Sequence, residues 1–162
     1  MKDWPINPLI IVGIVSFISA QIIKTILFAI KYKTFNPERI TGPGGMPSSH
    51  TSLVIAVLIY SLRMEGPKSN VFALSLLIAG VVIYDALSVR YNAGLHAKEL
   101  NKLRKIVDEL DDEITQLSGG EEDPDIDELV SQKELKEFLG HTPIEVLAGA
   151  LLGILIAMVF PK

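Results

Sequence analysis

Gly42-Pro43-Gly44-Gly45-Met46-Pro47-Ser48-Ser49-His50 separates two apolar segments of a 162-residue chain, and it cannot lie inside a helix. Each Gly costs roughly 1 kcal/mol and each Pro about 3 kcal/mol relative to Ala in a helix interior, so the run is a loop between two helices. Its glycines permit positive φ and let backbone N–H groups approach a ligand; amides gathered at a helix start form an anion site. Ser48, Ser49 and His50 stand at the mouth of the next helix, where hydroxyls, amides and an imidazole can converge on one phosphate. The plainer reading is a Ser N-cap and a His that wets a helix end.

On either side of this turn the apolar residues are gathered in blocks. The chain is 49% hydrophobic and 21% charged, with a mean hydropathy of +0.38. Pro8 to Ile30 is apolar except for Ser16, Ser19, Gln21, Lys24 and Thr25, long enough to cross the ~30 Å hydrocarbon layer as a helix. Val71 to Leu87 and Ile144 to Phe160 are apolar runs of 17 residues. Leu53 to Leu62 is shorter and spans only if its helix begins near Pro47 and runs to Arg63. These blocks predict an all-α, polytopic membrane helix bundle of four spans, one membrane domain over residues 1–162 with an inserted soluble or interfacial helical hairpin at 91–140. Met1-Lys2-Asp3-Trp4 is a weak basic region without a small-residue cleavage site after the apolar run, so the first span is expected to stay. The absence of cysteine excludes disulfides and thiolate chemistry, and a net charge of −4 argues against a nucleic-acid partner.

Four crossings put the turn at 31–50 and the segment 88–143 on one side. That side carries Lys31, Lys33, Arg39, Arg90, Lys98, Lys102, Arg104, Lys105, Lys133 and Lys136, against Lys2, Arg63, Lys68 and Lys162 opposite. The positive-inside tendency makes the 31–50 side cytoplasmic in an integral membrane protein, of the cell membrane in a bacterium.

Between the third and fourth spans the texture changes. Leu100, Leu103, Val107, Leu110, Ile114 and Leu117 alternate steps of three and four, the a/d pattern of a helix with a narrow apolar seam. Ser118 to Asp125 breaks that helix, and a second amphipathic helix is expected to run to Leu139 through Ile126, Leu129, Val130, Leu135 and Phe138. The seam suits a hairpin closing on itself, a homo-oligomer pairing through 95–139, or a lid or membrane-surface helix.

Four features fall on one face of the membrane: the turn from Gly44 to His50, Arg90 just beyond Asp85, Gly140-His141-Thr142-Pro143-Ile144-Glu145, and the basic run Lys31, Lys33, Arg39. Arg presents a planar fork matched to phosphate oxygens, and Lys and helix N-termini add charge. Thr142 is the expected N-cap and Pro143 suits the first helical turn. Glu145 lies four residues after His141, so its carboxylate can accept the ring N–H and raise the basicity of the other nitrogen, and such a histidine can attack phosphorus. The alternative is a His and a Glu that merely end a membrane helix at the headgroups.

These residues resemble the type 2 phosphatidic acid phosphatase superfamily, and most closely its divergent membrane branch, described as acid phosphatase/vanadium-dependent haloperoxidase-related. Pro47-Ser48-Ser49-His50 matches the superfamily's Pro-Ser-Gly-His turn with Ser49 in place of Gly. The last element can be laid on twice. Arg90 and His96 keep the five-residue gap, but Leu100 stands where the acid belongs; Arg90 with His141, three residues and Glu145 completes the pattern across the insertion, with Glu for Asp. The second alignment is preferred, because Val146 to Gly153 resembles the segment after the superfamily's catalytic His. Ahead of the turn, Lys33 and Arg39 are one residue short of the expected gap, and Ile40 replaces Pro. Lys24 is the candidate substitute: it shares a helix face with Gln21 and Lys31, and an ammonium within hydrocarbon is a functional suspect. It can instead snorkel or pair with Asp85. Asp85 is also a candidate orienting acid for Arg90, and a metal site there lacks a second acidic ligand.

The resemblance implies a membrane phosphatase that needs no metal or other cofactor and acts on a phospholipid or polyprenyl (di)phosphate. His141 would attack phosphorus, Glu145 would hold its ring, and His50 would protonate the leaving oxygen. Arg90, Ser48, Ser49, Gly44, Gly45, Lys24, Lys31 and Arg39 would bind the phosphate. Two other classes fit the same residues: a phosphate- or lipid-binding membrane protein without turnover, and an oligomeric scaffold acting through the hairpin.

Overall fold

The computed structural model describes residues 5–33, 45–118, 135 and 140–161, and the described residues are helical with no strand. In chain order they form α1 (Pro8–Tyr32), α2 (Ser49–Glu65), α3 (Asn70–Tyr84), a π-helical turn (Asp85–Val89), α4 (Arg90–Ser118) and α5 (Pro143–Val159). Each start has a cap that satisfies orphan amides: Asn7 accepts from Leu9, Ser48 from Thr51, Ser69 from Phe72, and Thr142 from Glu145. Pro8 and Pro143 occupy first turns, where a missing N–H costs least. The expected cap at Thr142 is a full capping box, with Glu145 reaching back to the Thr142 N–H.

α2 is the centre of the bundle, and α1, α3 and α5 each pack on it. It is the least apolar of the four, and small or hydroxylated residues let its neighbours approach: Ser49, Thr51, Ser52, Ala56 and Ser61 are buried. On the α1 side, the Ser16 hydroxyl donates to the Ser52 carbonyl at 2.9 Å and pairs with the Ser52 hydroxyl at 2.6 Å. Toward α5, a Cβ on Gly153 would lie 2.5 Å from the Ser52 carbonyl oxygen, and one on Gly149 would strike the Ser48 carbonyl. Gly-x-x-x-Gly thus lays α5 directly on the backbone of α2, the packing that operates where large apolar side chains gain nothing from leaving lipid. The far end is tied by Arg63, which donates to the Ala157 and Phe160 carbonyls, and by the Tyr60 hydroxyl, which donates to Pro161 at 3.1 Å.

The large apolar side chains point the other way. Ile10, Ile14, Ile18, Ile22 and Ile26 of α1 and Leu74, Leu77 and Val81 of α3 are exposed. Pro8–Ile30 and the continuous helix from Asn70 to Leu117 are long and apolar enough to cross a membrane, and Pro143–Val159 is a shorter apolar helix. The expected boundary after the third apolar run is no break: α3 passes through the π turn into α4 without a loop. The second helix expected up to Leu139 lies outside the described residues except for Leu135.

Candidate active site

The helix directions bring the end of α1, the start of α2, the π turn and the start of α5 to one end of the bundle. Gly140 is wedged against Arg90 and Tyr91: a Cβ there would lie 2.7 Å from the Arg90 carbonyl carbon and would strike the Tyr91 backbone. The His141 N–H donates to the Ala86 carbonyl at 3.3 Å. Only a glycine permits so close an approach, and it carries His141 to the turn that holds Arg90.

That turn sets Arg90. Closing i to i+5, it stacks Arg90 above Asp85, and the Arg90 Nε donates to the Asp85 carboxylate at 2.5 Å. Asp85 thus holds the Arg90 side chain by its Nε, the contact that the expected orienting acid would make. The guanidinium stays largely exposed, free to turn its outer nitrogens toward an anion. The sequence offers Asp85 as a partner for Arg90, but no periodicity marks the π turn that brings the two together.

His141 is 7% exposed and its Nδ1 lies 3.2 Å from the Glu145 Oε2. An ionised carboxylate only accepts, so Nδ1 carries a proton, and it is Nε2 that bears the lone pair in the neutral ring. Glu145 also accepts from the Thr142 N–H at 3.0 Å and from the Gly45 N–H. Three donors therefore hold one carboxylate, and the ring it orients is correspondingly fixed.

The glycine turn thus has a second use. The Ser48 N–H donates to the Glu145 carbonyl at 3.0 Å, and the fully buried Ser48 hydroxyl caps α2, accepting from the Thr51 N–H and hydroxyl. The amides of Gly45 and Ser48, expected to face phosphate, are engaged by α5 in this structure. Gly45 takes φ +90°, and a Cβ there would lie 3.0 Å from the Lys24 Cδ. A side chain at 45 would be strained and would crowd the lysine. Ser49, buried, opens α2 at the same end.

Lys24 is 7% exposed, so its ammonium lies within the bundle rather than snorkelling to the surface along α1. Gln21, one turn earlier, keeps its Oε1 buried without a hydrogen bond among the described residues. His50 sits ahead of the apolar part of α2, edge-on to Phe17 at a centroid distance of 5.8 Å. Its pKa is pushed below the ordinary imidazole value, first by partial loss of water and then by the charges of Arg90, His141 and Lys24, with Asp85 opposing. Five groups drawn from α1, α2, the π turn, the first residue of α4 and the segment just ahead of α5 thus share one electrostatic neighbourhood. His96 is not among the charges that act on His50, and it stands exposed on α4. Arg39 and Gly44 lie outside the described residues, as does the side chain of Lys31. Among the described residues no cluster of three His, Asp or Glu could hold a metal ion.

Comparison with known proteins follows the same residues. A relative in Bacillus subtilis (strain 168), the uncharacterized membrane protein YuiD, is 36% identical over 151 residues, covering 91% of this chain and 89% of the relative. No solved structure matches the chain. Residues 6–156 match the Divergent PAP2 family, a stretch that contains His50, His141, the π turn and the Gly149–Gly153 contact, and the chain belongs to that family.

Proposed function

We propose that the chain is an integral membrane phosphatase that crosses the bilayer four times through α1, α2, α3 and α5, and hydrolyses a phosphorylated lipid at the membrane boundary. The relative's description as a membrane protein and the outward apolar faces of α1 and α3 support the membrane placement. On the basic-residue count the site faces the cytoplasm. The observation that carries the chemistry is the His141–Glu145 pair, with Nε2 unencumbered, in the same charge cluster as His50, Arg90 and Lys24.

The reaction has two steps. His141 Nε2 attacks phosphorus as the bond to the lipid oxygen breaks, and His50 gives that oxygen its proton. Glu145 stabilises the ring as it gains positive charge. His50, now neutral, takes a proton from water as the water attacks the phosphohistidine; phosphate leaves and both histidines return to their starting forms. Arg90 and Lys24, with the N-terminus of α2 at Ser49, hold the equatorial oxygens while charge redistributes among them. A lipid substrate fits a site whose charged groups end an apolar bundle: the head meets the cations in water and the tail lies along the helices.

The test is a panel of lipid phosphates and polyprenyl diphosphates offered to the purified protein without added metal. Wild type is expected to release phosphate, and His141→Ala and His50→Ala to abolish release with helicity intact. Turnover unchanged in both variants overturns this chemistry, and lipid-phosphate binding without turnover replaces it with a binding function.

A further inference from the structure

Two stripes run side by side along α4. Gly94, Ala97, Asn101, Arg104, Val107, Asp111 and Thr115 are buried or half-buried. Asn101 fixes what covers them at one level, with its Nδ2 donating to the Leu135 carbonyl at 2.9 Å and its Oδ1 accepting from the Leu135 N–H at 3.0 Å. One position round the helix, the apolar seam is open: Leu103 is 57% exposed, Ile114 58% and Leu117 89%, with Leu100 and Leu110 about half exposed. The chain therefore packs the mostly polar side of α4 and leaves the apolar seam outward except at the half-buried Val107. A helix standing in water for roughly 40 Å, its 29 residues at 1.5 Å each, does not keep such a stripe without a partner.

We propose that this stripe is where two copies of the chain pair as a parallel two-stranded coiled coil. Leu100, Val107 and Ile114 take the a positions and Leu103, Leu110 and Leu117 the d positions. Branched Val and Ile at a with Leu at d is the combination that selects two parallel strands. The half-open side chains of two stripes together bury on the order of 1,000 Å², the floor for a specific interface. Two copies in one bilayer point the same way, so their two-fold axis follows the membrane normal and the emerging helices run parallel. That direction rests on the membrane placement proposed above; the pairing is independent of the chemistry at the site.

The chain contains no cysteine, so a single introduced cysteine reports on its own position. Leu103→Cys and Leu110→Cys, in membranes treated with a mild oxidant, are expected to form disulfide-linked dimers at least tenfold faster than Lys102→Cys and Asp112→Cys on the outer faces. Equal linking at all four positions, or none at the two d positions, overturns the interface. Linking between Leu103→Cys and Ile114→Cys chains when mixed, with neither linking alone, overturns the parallel direction and with it the shared membrane placement. The double variant Leu103→Lys/Leu110→Lys is expected to halve the particle mass in detergent while phosphate release persists; an unchanged mass overturns the proposal even if the protein is inactive.

Discussion

Gly149 and Gly153 of α5 meet the backbone of α2 with no side chain between them, whereas Leu103 and Leu110 of α4 carry large side chains that remain more than half exposed. Both are helix faces with a regular spacing, yet the small residues are buried and the large ones are not. Within a bilayer a leucine gains nothing by leaving lipid for protein, so contact goes to whichever faces let backbones close up. In water the same leucine gains by burial, which is the reason for proposing that the open seam of α4 takes a partner. The contrast divides the chain into a part ruled by close approach and a part ruled by apolar area.

The sharpest way to break this comparison is to put bulk into the close-packed half. Gly149→Leu or Gly153→Leu is expected to cost more than about 3 kcal/mol, because the obstruction is backbone that cannot rotate away. The yield of monodisperse protein and its thermal unfolding in detergent would register the loss. A variant as stable as wild type would show that the two helices do not need to touch.

Gly140→Ala tests the same close approach at the edge of the site. Its Cβ would push the 140–142 segment off Arg90 and Tyr91, and a displacement near 1 Å between His141 and Arg90 is expected to slow phosphate release about 10- to 100-fold. Helicity should be unchanged, so the loss would read in kcat and not in yield.

A smaller effect concerns the charge that close packing concentrates. In the proposed reaction His50 is protonated before it releases the lipid oxygen, and its pKa lies below the ordinary value of about 6.5. The protonated fraction therefore falls as pH rises through that lowered value. The alkaline limb of kcat/KM should lie on the acid side of about 6.5 and move upward in Lys24→Met, which removes one of the repelling cations. A limb that stays put in that variant would detach Lys24 from His50.

The smallest expected change lies in the exposed half. Asn101→Ala removes both hydrogen bonds to Leu135, a loss of about 1 kcal/mol because the Leu135 groups left behind lie on a residue that water reaches. Amide exchange at Leu135 should quicken several-fold while α1, α2 and α5 keep their protection. Global destabilisation would mean that α4 and the bundle fold as one unit.

Much of this was legible beforehand, and the exceptions have physical causes. The apolar runs located α1, α3 and α5, and Thr142-Pro143 announced the start of α5 because caps and first-turn prolines act through adjacent backbone. His141 and Glu145 are four apart near a helix start, so local geometry was enough to predict their contact. The least apolar of the four bundle helices, α2, proved central, because centrality here follows from small residues and hydropathy does not report it. The engagement of the Gly45 and Ser48 amides by Glu145 joins positions about a hundred residues apart, which no local pattern encodes.

By itself the sequence determined the helical class, the apolar segments, the breaker turn, the cap of α5 and the seam on α4, all of which depend on neighbours within a turn or two of helix. Only the tertiary structure decided that α2 stands in the middle, that a π turn aims Arg90 from Asp85, that two distant histidines share a field with Lys24, and that α4 turns its polar side inward. The reason is range. Propensity and periodicity act along the chain, whereas these four outcomes come from which backbones can approach across it, and that is set by the shapes of two surfaces together.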